Sequence, residues 1–480
     1  MEIRSASQIA VIGAGTMGVG IAQVAAASGH QVVVIDRVET ALTRGRETLK
    51  AALDQLVKRG RLDPEQAEAT IARIHWSPQL EAAADCALVI EAIVERLDVK
   101  QGLFAELEKI VSEDALLATN TSSLSVTEIA THLTRPARFL GLHFFNPVPA
   151  MKLVEVVAGV ATSPRFVTSV TALMKSWSKH PVTVRDVPGF IVNRIARPYY
   201  AEAFLAWDEG VEPAAIDAAL TGSGGFRMGP LTLADMIGHD INYAAAVSVH
   251  EGLQPRTRFR PQAAQARLVE QGHLGRKAGQ GVYRYGADVP PPPLREASAG
   301  AVIRLPATAG TSADLIAALS APVAPEMAPG IVSVDGLRVA MGDGRSLRTR
   351  LDVDMLIDHA LDFRASSILV ATVRDEAGAQ AAAGLAGALG KQLLLLPDRP
   401  GQIVLRTYAQ IANGAVDAVR EGVASAEAVD EAMLYGANYP VGPMAWAIRN
   451  GPERIREALT NIASETGNPL YEPASDWQPL

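Results

Sequence analysis

Along residues 1–160, short apolar runs rich in β-branched side chains alternate with stretches of helical spacing. The runs fall at residues 9–12, 31–35, 87–90, 116–119, 139–144 and 153–157. Apolar runs without polar alternation suit strands buried on both faces, and strands alternating with helices predict βαβ units in a mainly parallel sheet. From Asp186 the pattern changes to alanine-rich helical stretches ended by glycines such as Gly210 and Gly222, which predicts an all-helical domain over 186–286. Pro290-Pro-Pro-Pro293 has no backbone donors and favours a stiff extended chain, so a linker is expected over 287–300. Beyond it, apolar runs at 331–334, 367–370 and 393–396 alternate with helical stretches, predicting a smaller α/β segment over 301–397.

The helical pattern then returns. Asp186-Val-Pro-Gly-Phe-Ile-Val-Asn-Arg194 reappears at an offset of 212 residues as Asp398-Arg-Pro-Gly-Gln-Ile-Val-Leu-Arg406. The match continues through Glu209-Gly-Val211 against Glu421-Gly-Val423 and, after a one-residue slip, Gly229-Pro230 against Gly442-Pro443. The helical domain is duplicated, its second copy covering 398–480.

Composition narrows the class. In 480 residues, 48% are hydrophobic and 20% charged, so most of the chain can bury a core. The net charge is −8 with the basic residues scattered, which argues against nucleic acid as a partner. A single cysteine, Cys86, excludes an internal disulfide and a cysteine metal cage and fits a reducing, cytoplasmic compartment. Residues 1–7 are polar and lead straight into a strand, so no signal peptide is expected; no apolar run has the roughly 18 residues of a membrane span.

Gly13-Ala14-Gly15-Thr16-Met17-Gly18 follows a predicted strand and opens a predicted helix, and the next strand ends in Asp36. Such glycines permit a tight turn, close approach to a pyrophosphate and close helix packing, while the helix N-terminus attracts phosphate. The carboxylate after the second strand accepts bonds from ribose hydroxyls and repels a 2′-phosphate, favouring NAD; the neighbouring Arg37 leaves NADP open. The expected fold class is therefore α/β. A Rossmann-type NAD-binding domain over 1–185 precedes a helical substrate and dimerisation domain, a reduced Rossmann-like segment lacking the cofactor motif, and the second helical repeat.

His143 ends an apolar strand, at the edge of a parallel sheet where ligands bind, with Asn146 just beyond it; twelve residues on, Glu155 is the one carboxylate in another apolar strand. Singly, His143 reads as a core histidine and Glu155 as a strand-edge carboxylate. Together near a cofactor loop they read as a dyad, the carboxylate fixing the tautomer and stabilising the protonated ring, as a general base for an alcohol requires. No metal is required. Ser122 follows the strand at 116–119 and is placed to face the nicotinamide, although the adjacent Ser125-Val-Thr-Glu128 also reads as a capping box. Asn193 is replaced by Leu405 in the second copy, as expected if it serves a site only the first copy has. His359 is the only histidine after residue 273, so the second half is expected to be catalytically silent.

Over residues 7–286 the chain resembles the L-3-hydroxyacyl-CoA dehydrogenase family. The resemblance rests on residues 11–18, Glu91-Ala-Ile-Val-Glu95, Asn120-Thr-Ser-Ser-Leu124, Gly141-Leu-His-Phe-Phe-Asn-Pro147, Pro188-Gly-Phe-Ile-Val-Asn-Arg194 and Gly275-Arg-Lys-Ala-Gly-Gln-Gly281. It implies oxidation of an acyl-CoA thioester, as in fatty-acid β-oxidation, with His143 as base, Glu155 as its partner, and Ser122 and Asn193 on the substrate oxygen. It places Glu95, Lys100, Ser122, Asn146 and Lys277 around the NAD and implies a homodimer. The family's coenzyme A contacts transfer only loosely, since the region reads Ala51-Ala-Leu53 and Lys58-Arg59 without the family's serine. The tail looks like that of the long bacterial branch, which includes phenylacetate-pathway enzymes acting on 3-hydroxyadipyl-CoA; 3-hydroxybutyryl-CoA enzymes share the motifs. Two alternatives remain: a dehydrogenase of a free hydroxy or sugar acid, and a catalytically silent NAD-binding assembly protein.

Overall fold

The computed structural model describes residues 7–253, 258, 260–286, 291–475 and 477. The polar start at residues 1–6 and the first part of the expected linker, 287–290, lie outside the described residues. In chain order the elements begin β1 (Ile9–Ile12), α1 (Thr16–Ala27), β2 (Val32–Ile35), α2 (Glu39–Lys58), α3 (Pro64–Ala72), β3 (Ile74–Ser77), β4 (Leu88–Glu91), α4 (Leu97–Ile110), β5 (Leu116–Thr119), α5 (Val126–Ile129), β6 (Phe139–Phe144), β7 (Leu153–Ala158), α6 (Pro164–Ser176) and β8 (His180–Arg185). The first helical stretch gives α7 (Val192–Ile195), α8 (Arg197–Asp208), α9 (Pro213–Gly222), α10 (Pro230–Ile237), α11 (His239–Gly252) and α12 (Ala263–Glu270). Then come β9 (Leu294–Arg295), β10 (Ile303–Pro306), α13 (Ala313–Ala318), β11 (Val323–Ala324), β12 (Val332–Val334), β13 (Leu337–Met341), β14 (Met355–Ile357), β15 (Ile368–Val373), α14 (Glu376–Ala388) and β16 (Gln392–Leu395). The chain closes with α15 (Val404–Arg420), α16 (Ala426–Gly436), α17 (Pro443–Asn450) and α18 (Pro452–Thr466).

The chain divides into two compact units, residues 1–192 with 421–437, and 193–420 with 438–480. In the first, eight strands run in the order β3-β2-β1-β4-β5-β6-β7-β8. All neighbours are parallel except β6 and β7, and β1, β2, β4 and β5 are buried along their whole length, as a sheet covered on both faces requires. The antiparallel step matters for the site, because it sets His143 directly opposite Glu155. The unit is completed from far along the chain: α16 packs on β7 and β8, Arg185 N–H donates to Val423 O at 2.9 Å, and His180 lies 2.9 Å from Glu431.

The second unit holds α8 to α12, α15, α17 and α18, with another eight-stranded sheet in the order β11-β10-β12-β13-β14-β15-β16-β9. This sheet is mixed, and β10-α13-β11 and β15-α14-β16 are parallel βαβ portions of it. The linker expected over 287–300 ends early, since Leu294 and Arg295 pair antiparallel with Leu394 and Leu393 and become the edge strand. Between the helical copies, the buried Arg406 of α15 meets Glu202 of α8 at 2.8 Å and Glu209 at 3.1 Å, and the Tyr471 hydroxyl donates to Glu202.

The duplication reaches the backbone. Gly189 and Gly401 have φ of +75° and +73°, and the following Phe190 and Gln402 sit at +47° and +52°, a left-handed pair that turns the chain into each copy's first helix. In the second copy Asp358 receives the N–H groups opened by that turn: Oδ2 accepts from Ile403 and Val404, and Oδ1 from Leu405 and His359. His359 itself accepts from Trp446 Nε1 at 3.0 Å, and burial, with Arg454 and Arg449 nearby, pushes its pKa down to about 3. Replacing Asp358 with Ala strands these donors in the core. The expected loss is about 3 kcal/mol of stability, read as a lowered urea midpoint; an unchanged midpoint would contradict the capping role.

Candidate active site

The loop after β1 has the geometry its glycines require. Gly13 has φ +108°, and a Cβ there would lie 2.5 Å from Ala92 O; a Cβ on Gly18 would lie 1.9 Å from Gly13 O. Gly15 differs, for its Cβ would meet nothing within 4 Å, and it caps α1 with no side-chain hydrogen bond. The first N–H groups of α1 thus face an open cradle suited to a pyrophosphate. Asp36, just past β2, accepts from Ala14 N–H at 2.9 Å and Val38 N–H at 3.0 Å, and its remaining lone pairs suit ribose hydroxyls. It borders a cleft of about 500 Å³ walled by Gly13, Ile35, Leu80, Ile93 and Leu103. Arg37, the residue that left NADP open, is already countered by Glu106 at 2.6 Å on the rim of this cleft.

Between β4 and β5 lies a charged knot. Glu91 is fully buried and accepts from Ile93 N–H, Thr119 Oγ1 and Lys100 Nζ, the last at 2.6 Å. Lys100 Nζ also lies 3.2 Å from Glu95. Glu95 Oε1 accepts from Thr121 Oγ1 and from the N–H groups of Ser122 and Ser123. Burial pushes the Glu95 carboxyl up, but Lys100 and these hydrogen bonds outweigh it and hold the pKa below the ordinary value. Lys100 was expected to contact the cofactor. It is only 1% exposed, so the structure places it behind Glu95, holding that carboxylate; Glu91, which makes this necessary, was missed as a functional support. Ser122 stays on the surface of this loop, while Ser125 caps α5 through Glu128 N–H and donates to Asp186 at 2.8 Å.

His143 is buried at the end of β6. Its Nδ1 lies 2.6 Å from Glu155 Oε2, while Glu155 Oε1 accepts from Ile191 N–H at 2.9 Å and Val192 N–H at 3.0 Å. Phe145 and Phe190 flank the ring at 4.4 and 5.8 Å between centroids. Asn120 Oδ1 accepts from Phe144 N–H, tying the end of β5 to the end of β6, and Asn146 lies exposed just beyond. The first unit thus joins His143 with Glu155, and Ser122 with Glu95. Asn193 and Lys277 belong to the second unit, where Asn193 O accepts from Arg197 Nε and Lys277 pairs with Asp240 at 2.6 Å.

The buried knot predicts that Lys100→Met leaves Glu91 charged and unpaired, lowering stability by about 3–5 kcal/mol. Adding Glu91→Gln should recover much of that loss in the melting temperature. A single Lys100→Met variant that melts like wild type but binds NADH weakly would instead make Lys100 a direct contact.

The profile of the 3-hydroxyacyl-CoA dehydrogenase NAD-binding domain matches residues 8–187, and that of the family's C-terminal domain matches twice, at 189–285 and 401–478. The chain is 41% identical to the 3-hydroxyadipyl-CoA dehydrogenase of Escherichia coli K12 over 97% of its own length and 96% of that protein. It is 45% identical to a probable 3-hydroxybutyryl-CoA dehydrogenase of Deinococcus radiodurans over 57% of this chain and 99% of the other. A crystal structure described as 3-hydroxybutyryl-CoA dehydrogenase from Escherichia coli superposes with a TM-score of 0.89 at 40% identity, covering 98% of this chain and 97% of that one. The chain belongs to the 3-hydroxyacyl-CoA dehydrogenase family and is an NAD-dependent oxidoreductase.

Proposed function

We propose that this protein oxidises an L-3-hydroxyacyl-CoA to the 3-ketoacyl-CoA with His143 as general base, acting on 3-hydroxyadipyl-CoA or 3-hydroxybutyryl-CoA. The observation that carries the reading is the 2.6 Å contact between His143 Nδ1 and a carboxylate that is itself pinned by two backbone N–H groups. That contact assigns the proton to Nδ1 and leaves Nε2 with the lone pair. NAD, when bound, supplies the acceptor for the hydride leaving C3. His143 Nε2 takes the hydroxyl proton, and Glu155 accommodates the positive charge that arrives with it. By family resemblance Ser122 and Asn193 hold the oxygen that becomes the ketone, and Glu95, Asn146 and Lys277 line the cofactor. The glycine loop and Asp36 bind its pyrophosphate and ribose.

Among the described residues no helix is long and apolar enough to cross a membrane. We place the protein in the cytoplasm on its single, buried cysteine. The homodimer implied by resemblance gives way, in this proposal, to a single chain. Within the second unit α15 lies along α8, and the buried Arg406–Glu202 pair lies between them, so one helical copy already meets the other.

Acetoacetyl-CoA with NADH should be turned over rapidly by the purified protein. His143→Gln should lose about 10²–10⁴-fold in kcat while binding NADH as wild type does; loss of less than tenfold would remove His143 as base. No turnover of any CoA thioester with intact NADH binding would favour the free-acid dehydrogenase. Light scattering should give a mass near 50.7 kDa, and about twice that would restore the dimer.

A further inference from the structure

Asp36 and Arg37 stand side by side after β2 and suit opposite cofactors. A carboxylate there accepts from the ribose hydroxyls of NAD, whereas an arginine there receives the 2′-phosphate of NADP through charge-assisted hydrogen bonds. Both residues border the cleft of about 500 Å³, and the opposite wall of that cleft is α4. Asp98, Val99, Gly102, Leu103 and Glu106 line it, at the spacing of one helix face. Gly102 lies in the middle of this face, and a Cβ on it would meet no atom within 4 Å. Glycine inside a helix costs stability relative to alanine, and here no close packing asks for it. The wall of α4 is thus kept clear where a ligand would lie against it.

Glu106 follows Gly102 by one turn on that wall. Its Oε2 accepts from Arg37 Nη2 at 2.6 Å, and no other carboxylate among the described residues pairs with this arginine. Asp36 is turned instead to Ala14 N–H and Val38 N–H. Among the described residues, Asp36, Asp98 and Glu106 give the cleft lining three carboxylates against Arg37 as its one cation. Asp98 is itself paired with Arg96 at 2.5 Å, so Glu106 is the carboxylate that neutralises Arg37. The Arg37 and Glu106 side chains are 73% and 54% exposed, and an ion pair that exposed contributes little to folding. Its consequence is for what can bind. A 2′-phosphate entering the cleft would meet two carboxylates, Asp36 and Glu106, and a guanidinium already engaged.

We propose that Glu106 is a specificity-determining residue of the cofactor site. By holding the Arg37 guanidinium it denies that group to a 2′-phosphate, and so sets the preference for NAD over NADP together with Asp36. Glu106 acts through Arg37, not on the reacting atoms. The proposal rests on the assignment of Asp36 to the cofactor ribose and is independent of the acyl group.

Dissociation constants for NADH and NADPH, read from nucleotide fluorescence at low ionic strength with no thioester present, provide the test. Wild type should bind NADH more tightly than NADPH. Glu106→Gln frees the guanidinium for a charge-assisted contact and should tighten NADPH about tenfold. Adding Arg37→Met to Glu106→Gln should erase that gain, and adding Asp36→Ser instead should enlarge it. Wild type that binds both nucleotides alike overturns the proposal, as does Glu106→Gln with unchanged NADPH affinity. So does a gain that survives Arg37→Met, for Glu106 then acts by its own charge alone. Failure of the underlying reading is visible separately: Asp36→Ser alone would then weaken NADH by less than about twofold, and the proposal would fall with it.

Discussion

The carboxylate of Glu155 is the joint on which the site turns. It is fully buried, and both oxygens are committed: Oε1 to the two N–H groups that open the helical turn at Ile191 and Val192, Oε2 to His143. One side chain therefore fixes both the turn at Ile191 and Val192 and the orientation of the imidazole. Moving either would unpair a buried charge, which is expensive enough to hold both in place.

The second copy shows the same joint with an aspartate and no imidazole on it. Asp358 Oδ2 takes Ile403 and Val404 as Glu155 Oε1 takes their counterparts. Its other oxygen is filled by Leu405 and His359 N–H rather than by an imidazole nitrogen. The shorter side chain sits closer to the turn and caps more of it, so no oxygen remains to orient a ring. Capping is thus the shared structural duty of the two acids, and pairing with histidine is what the first copy adds.

Much of this was legible in the chain. The glycine loop, Asp36 and the His143–Glu155 pair each follow from strand ends and from the need of a lone carboxylate in an apolar strand. What local pattern does not encode is long-range pairing. Lys100 reads as a cofactor contact until Glu91, on the strand before it, is seen to be buried and in need of a cation. Arg37 looks free until Glu106 arrives from the far end of α4. Asp358 has no sequence signature, because its partners lie in the next repeat. Leu294 and Arg295 follow a run of prolines and read as linker, yet the unpaired edge of β16 recruits them as a strand.

The discontinuity of the first unit carries a consequence for how the chain is made. A ribosome delivers residues in order, and domains ordinarily settle as they emerge. Here residues 421–437 cover β7 and β8, with the Tyr435 ring tilted against that of His180 at 4.3 Å between centroids and a Cβ at Gly436 reaching within 2.4 Å of Leu153. The segment that covers the last strands of the cofactor domain is therefore among the last parts of the polypeptide to be translated. The first unit is thus completed by part of the sequence that duplicates the helices following it.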